Sequence, residues 1–237
     1  MPRAKTPNKN KNSRLSAVIV AAGTSRRMTG INKLFASLGG KPLLTWAVDT
    51  CQRCDLVRQI VLVMNKEDLA RGQKLRNERG WFKVILCPGG ARRQDSVRQG
   101  LKKLRNCDWV MIHDGARPFL TPDLIGNGLK LAKETGAVIA AVPVKETIKL
   151  ADRRNSIKRT LDRDRLWAAQ TPQIFTFDMI MKAQRNLMVE ITDDAAAVER
   201  LGYEVKLYMG DNRNIKVTTP EDLALARIIA GKWKEKS

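Results

Sequence analysis

The feature that most restricts this chain is a series of short, unbroken apolar runs separated by stretches with helical spacing. Residues Leu15–Ala21 read LSAVIVA, with no polar alternation and several β-branched side chains. Such a run suits a strand buried on both faces, the situation inside a parallel sheet covered by helices. Residues 59–64 (QIVLVM), 83–87, 108–112 (DWVMI) and 137–142 have the same character. Between them, residues 42 to about 54, 68 to about 79, 94–104 and 122 to about 134 carry apolar residues at helical intervals or polar helix-forming stretches. Strands alternating with helices predict βαβ units and an α/β domain built on a mostly parallel central sheet.

The alternation breaks at residues 144–171. Two short polar-alternating stretches, around 147–151 and 156–161, flank a turn-like Asp152–Asn155. A hairpin of this kind has too little apolar surface to stand alone. It is expected to protrude and to pack against another subunit or over a cleft. Helical patterns resume at 178–188 and 193–201, followed by a strand at 204–209 and a helix from 220 to about 229. There is no internal repeat.

With 237 residues and 43% hydrophobic side chains, the chain can bury a full core, and it lacks any apolar run approaching the ~18 residues of a membrane span. The absence of a secretory apolar segment near Met1 leads to a cytoplasmic expectation. Charge is the unusual quantity: 44 Lys and Arg against 24 Asp and Glu give +20. Residues 1–14 hold Arg3, Lys5, Lys9, Lys11 and Arg14 with no acid, and are expected to form a flexible basic tail ahead of a domain over 15–237. Taking those five charges away leaves +15 on the body, which favours anionic partners such as nucleic acid, a membrane surface or phosphorylated small molecules. Cys51 and Cys54 form a C-x-x-C, but a chain with one histidine offers few further zinc ligands, and reduced thiols are expected.

In an open parallel sheet, ligands bind beyond the carboxyl ends of the strands. After the first strand come Ala21, Ala22, Gly23, Thr24, Ser25, Arg26, Arg27 and Met28, with Lys33 shortly beyond. Small residues let a backbone approach phosphate closely, and fixed cations neutralise it. This is neither a P-loop nor a G-x-G-x-x-G turn. The third strand is followed by Pro88-Gly89-Gly90-Ala91-Arg92-Arg93-Gln94-Asp95-Ser96, the fourth by His113-Asp114-Gly115-Ala116-Arg117-Pro118, and the fifth by Pro143-Val144-Lys145-Glu146-Thr147. Four such turns along one edge point to a shared anion-binding site.

Taken together with Leu166-Trp167, Gln170-Thr171-Pro172-Gln173, Thr192-Asp193-Asp194 and Asn214-Ile215-Lys216-Val217-Thr218, these motifs resemble the 2-C-methyl-D-erythritol 4-phosphate cytidylyltransferase family, from about Leu15 to Gly231. The resemblance implies a Rossmann-like nucleotidyltransferase domain. It also implies cytidylyl transfer from CTP to a polyol phosphate, a Mg²⁺ requirement, and a homodimer formed through the 144–171 arm. By the same resemblance, Arg27, Lys33 and Lys216 are expected to act on the triphosphate. Ala21, Ala22, Gly23, Thr24, Ser25, Gly90, Ser96 and Asp114 are expected to bind the nucleotide, and Thr147, Arg163, Thr171 and Thr192 the polyol phosphate, with Arg117 beside the site. No metal ligand is assigned.

His113 is expected to be a hydrogen-bonded structural residue, Asp193 and Asp194 to start a helix, and Glu221 and Asp222 likewise. Two competing enzyme readings are a ribitol 5-phosphate cytidylyltransferase and a transferase using UTP or GTP. A nucleic-acid binder would account for the charge, but aromatics are only 5% and no basic stripe is interleaved with them.

Overall fold

The computed structural model describes residues 13–23, 32–185, 187 and 189–234. The buried run LSAVIVA forms strand β1 (Leu15–Ala21). A two-residue hairpin follows, β2 (Ser37–Leu38) and β3 (Lys41–Pro42), then helix α1 (Leu43–Arg53), β4 (Val57–Met64) and α2 (Leu69–Glu78). The chain continues through β5 (Val84–Pro88), α3 (Arg93–Lys103), β6 (Trp109–Asp114), α4 (Pro122–Thr135) and β7 (Ala137–Pro143). Next come the small strands β8 (Lys149–Ala151) and β9 (Ile157–Thr160), the long β10 (Trp167–Thr176), α5 (Phe177–Arg185), α6 (Asp194–Glu199), β11 (Lys206–Met209) and α7 (Pro220–Lys234).

Seven strands form one sheet in the order β11-β7-β10-β6-β1-β4-β5. All neighbouring pairs are parallel except those made by β10, which runs antiparallel between β6 and β7. Apolar residues cover both faces. On one, Ile19, Leu62 and Met111 pack with Leu44, Val48 and Leu129; on the other, Val18, Val61 and Ile112 pack with Val97, Leu101 and Ile180. This two-sided burial is why the parallel strands read as continuous apolar runs. A third cluster joins Trp46, Phe119, Val217 and Ala226.

Two sequence expectations change. The first concerns β10, a long strand that the apolar pattern does not reveal. Residues 167–171 belong to the central sheet, pairing Trp167 with Pro143 and Ala169 with Ala141, so the excursion ends at Leu166. Trp167 therefore stands on a sheet strand, 37% exposed. The tail also shortens. Arg14 is docked, its guanidinium paired with Asp108 at 3.0 Å while its carbonyl accepts from the Asp108 and Trp109 backbone N–H groups. Within the excursion, β8 and β9 pair antiparallel around the anticipated turn, with Asn155 in the left-handed region (φ 62°). Leu150 and Ile157 lie exposed on this hairpin.

Candidate active site

The carboxyl ends of β1, β5 and β6 meet at one rim. Two glycines set the spacing there. A side chain on Gly89 would place its Cβ 2.3 Å from the Ala22 Cβ and 2.9 Å from the Ser96 Oγ. The turns after β1 and β5 are thus in contact, and only a residue without a side chain fits between them. Next to it, the Gly90 N–H donates to the Ser96 hydroxyl (3.1 Å), which itself donates to the Arg92 carbonyl. Gly115 bridges in the same way on the other side: its N–H donates to the Val20 carbonyl (2.8 Å), close against Ala21. Around Gly23 a Cβ would meet nothing within 4 Å, so packing among the described residues does not explain that glycine.

Asp114, the last residue of β6, lies at the centre. Its Oδ1 accepts from the Arg93 Nε at 3.1 Å and its Oδ2 from the Lys216 Nζ at 2.8 Å. Burial disfavours its ionisation, but Arg93, Lys216 and Arg117 outweigh that and hold the carboxyl well below the usual range. Arg93 is the first residue of α3 and reaches a second carboxylate, Asp194, at 2.8 Å. Burial disfavours its charge, yet Asp194 and Asp114 more than compensate and keep the guanidinium firmly protonated.

Beneath Asp114 runs a directed hydrogen-bond chain. The Asp114 N–H donates to the Thr171 hydroxyl (3.1 Å), and that hydroxyl lies 3.0 Å from the His113 Nδ1. The other ring nitrogen, Nε2, sits 3.0 Å from the Arg117 carbonyl, which can only accept. Nε2 therefore carries the proton, and the Thr171 hydroxyl donates to a bare Nδ1. Burial keeps the ring neutral, lowering its pKa to about 4. His113 is thus a structural residue, as its position after a buried strand suggested. Thr171 is 4% exposed, with its hydroxyl engaged on both sides by the Asp114 N–H and the His113 Nδ1. The resemblance assigns this hydroxyl to the polyol phosphate; in the structure it meets Asp114 and His113.

The segment carrying Lys216 is pinned to the same floor. The Arg117 guanidinium donates to the Asn214 carbonyl (2.7 Å), the Asn214 amide donates to the Thr171 carbonyl (2.8 Å), and the Val217 N–H donates to the Ala116 carbonyl (2.9 Å). Lys33 opens a short 3-10 turn over Lys33–Phe35. The preceding Asn32 holds this turn, accepting from the Leu34 N–H and donating to Asp68.

The structure thus gathers Ala21, Ala22, Gly90, Ser96, Asp114, Arg117, Thr171 and Lys216 at one rim. Thr192 is exposed just before α6, in a loop tied to α3 through Gln94, which donates to the Val189 carbonyl and accepts from the Ile191 N–H. Thr147 and Arg163 lie on the exposed excursion, where the Arg163 guanidinium donates to the Lys145 carbonyl (3.1 Å). Thr24, Ser25 and Arg27 lie outside the described residues. Asp193 caps α6 by accepting from the Ala196 N–H, whereas Asp194 is fully buried on Arg93, a role the helix-start reading of that residue missed. Asp222 accepts from the Thr218 and Thr219 N–H groups at the start of α7, as expected of helix-start chemistry.

Among the described residues, no three His, Cys, Asp or Glu side chains cluster closely enough to hold a metal by themselves. A magnesium ion carried by a nucleotide needs only one or two carboxylates, since phosphate and water oxygens fill the remaining positions. Asp114, a hard carboxylate kept ionised at the rim, fits that requirement.

A parallel sheet whose rim joins small-residue turns to a caged carboxylate and paired cations suits an α/β protein that binds phosphorylated ligands at its strand ends, and comparison with known proteins makes it an enzyme of the nucleotidyltransferase class. The sequence pattern of the 2-C-methyl-D-erythritol 4-phosphate cytidylyltransferases matches residues 15–232. A relative with that name from Dehalococcoides mccartyi (strain CBDB1) is 48% identical over 224 residues, covering 94% of this chain and 99% of its own. The crystal structure of a 4-diphosphocytidyl-2C-methyl-D-erythritol synthase from Anaerococcus prevotii superposes with a TM-score of 0.84 at 28% identity, covering 93% of this chain and 97% of that one. The cytidylyltransferase of the same name from Thermus thermophilus gives 0.75 at 28% identity, with 92% and 99% covered. The chain belongs to the 2-C-methyl-D-erythritol 4-phosphate cytidylyltransferase family.

Proposed function

We infer that this protein transfers the cytidylyl group of CTP to the phosphate of 2-C-methyl-D-erythritol 4-phosphate, in isoprenoid precursor biosynthesis. A phosphate oxygen of the acceptor attacks the α-phosphorus of CTP. The bond from that phosphorus to the bridging oxygen breaks, and pyrophosphate leaves, giving 4-diphosphocytidyl-2-C-methyl-D-erythritol. The observation that best supports this reading is the rim itself: Asp114 caged by Arg93 and Lys216, beside the Gly90–Ser96 turn.

The acceptor phosphate is largely ionised near neutrality, its second pKa being ~6, so no general base is needed. The site's task is to align the two phosphates and cancel charge as it grows on the α-phosphoryl oxygens and the leaving group. We assign Arg27, Lys33 and Lys216 to that charge, and the backbone of residues 21–25, Gly90, Ser96 and Asp114 to the nucleotide. Thr147, Arg163 and Thr192 are assigned to the polyol phosphate, with Thr171 and Arg117 bracing Asp114 and the Lys216 segment. Bound Mg²⁺, held by Asp114 and the substrate's phosphate oxygens, would supply further charge neutralisation. Exposed Leu150 and Ile157 on the β8–β9 hairpin are a reason to assign it to a homodimer contact that brings Thr147 and Arg163 to a partner's rim. No described helix is long and apolar enough to cross a membrane, and we assign the protein to the cytoplasm.

The test is pyrophosphate release measured with each of the four nucleoside triphosphates and with methylerythritol phosphate or ribitol 5-phosphate as acceptor. CTP with methylerythritol phosphate is expected to dominate. Equal turnover with ribitol 5-phosphate or with another nucleotide would overturn the substrate assignment.

A further inference from the structure

Four charged side chains stand in file through the site: Asp194, Arg93, Asp114 and Lys216. Their successive ion pairs measure 2.8, 3.1 and 2.8 Å, and their signs alternate. One end is buried and immobilised. Asp194 is 0% exposed, its Oδ1 accepts from the Gln184 amide (3.2 Å), and its backbone N–H donates to the Gln173 side chain (3.2 Å) on β10. The other end, Lys216, is 41% exposed at the rim. We propose that Asp194 and Arg93 are positioning residues, which set the Lys216 ammonium in the site by controlling how Asp114 holds it.

The geometry explains why the far end matters. Arg93 gives Nε to Asp114 and a terminal nitrogen to Asp194, so its fork is divided between two carboxylates. Asp114 is divided in turn, with one oxygen on Arg93 and the other on Lys216. Without the Asp194 charge, nothing holds the Nη1 end of the guanidinium from behind, and it can turn so that its Nε–Nη2 edge closes on Asp114 with two parallel bonds, the preferred guanidinium–carboxylate geometry. That contact draws Asp114 away from Lys216 and releases the ammonium from its place. Asp194 touches no solvent and so no substrate; its effect reaches the chemistry only through the file. Arg117 lies outside this file, because its guanidinium is spent on the carbonyls of Asn214 and Ala169. The functional part of the proposal rests on Lys216 facing the triphosphate, as assigned above.

Asp194→Asn tests it, with two readouts. In protein whose lysines carry ¹³C-methyl groups, with the Lys216 signal identified by its loss in Lys216→Arg, the substitution is expected to move that signal. It is also expected to lower kcat/KM for CTP about ten- to hundredfold, the scale typical of groups that orient a working residue from behind. If Asp194→Asn does not fold, Arg93→Gln/Asp194→Asn removes both buried charges together; Asp114 then loses the guanidinium that fixes one of its oxygens, so the Lys216 signal is again expected to move and kcat/KM for CTP to fall. A folded variant whose Lys216 signal stays in place overturns the proposal, whatever the turnover. So does a moved signal with kcat/KM for CTP unchanged, or a lower thermal midpoint as the only effect. Wild-type protein without cytidylyl transfer would instead refute the assigned reaction, and the Lys216 signal would still decide the positioning role.

Discussion

Replacing Thr171 with valine separates a structural hydroxyl from a substrate-binding one. Valine keeps the shape and removes the hydroxyl, leaving two buried partners unmatched: the Asp114 N–H, now 3.1 Å from that oxygen, and the His113 Nδ1 at 3.0 Å. Each buried unsatisfied group costs about 1–3 kcal/mol, so the expected loss is roughly 2–6 kcal/mol. Thr171→Ser keeps both bonds and loses one buried methyl, about 1 kcal/mol. A chain of this size shifts its midpoint by about 2–4 °C per kcal/mol. Thermal unfolding followed by circular dichroism should therefore fall by several degrees or more in the valine protein and by only a few in the serine protein. Activity at 25 °C should drop in the valine variant through kcat as well as KM, because Asp114 loses its backbone anchor. Equal midpoints for the two variants would refute the hydrogen-bond chain. A raised KM for the polyol phosphate at unchanged stability would put the hydroxyl on the substrate instead.

Further outcomes are expected. His113 stays neutral in the fold down to about pH 4, while in the unfolded chain it protonates near 6.5; the unfolded state then binds the extra proton, so stability is lost as pH falls through that window. The effect is about 3 kcal/mol, and urea melts at several pH values should show His113→Gln lacking this share of the acid sensitivity. Arg27→Ala and Lys33→Ala should each reduce kcat by about 10²–10³ with little change in thermal midpoint; near-normal turnover in either removes its assigned role. Gly89→Ala forces a Cβ against Ala22 and Ser96, and kcat/KM for CTP should fall at least tenfold, with a smaller effect on KM for the acceptor. Asp49→Asn breaks a buried carboxylate shared by Lys41 (2.8 Å), Arg79 (2.6 Å) and the Trp81 indole (2.9 Å), and should cost about 3 kcal/mol in denaturant titrations while leaving turnover of the surviving fold intact.

The parallel strands were readable because burial on both faces leaves no room for polar residues: the run at Leu15–Ala21 coincides with β1 to the residue. Strand β10 was hidden for the opposite reasons. Gln170, Thr171, Pro172 and Gln173 interrupt its apolar pattern, and a proline reads as a break. Those polar residues are present because the strand carries the floor of the site: Thr171 on Asp114, Gln173 on Asp193 and Asp194, Gln170 on the 211–214 segment. The rim turns were legible as small residues followed by charge. The partnership of Arg93 with Asp194 was not, since nothing in the local pattern of either residue names the other. The resemblance says which cations to expect but not which hydroxyl is buried; burial of Thr171 is a tertiary fact.

The register of β10 shifts between Ala169 and Gln173. On one side of that shift the strand pairs with the carboxyl end of β7 alone; on the other it is locked between β6 and β7 in the core. Length changes in the hairpin beyond Pro143 are thereby insulated from the catalytic floor. A graft or tag at Asp152–Asn155 should be tolerated by the subunit's own fold, whereas one residue added between Gln173 and Thr176 would turn Ile174 and Phe175 inside out. The subunit's own fold thus absorbs a change of length on one side of that offset and not on the other.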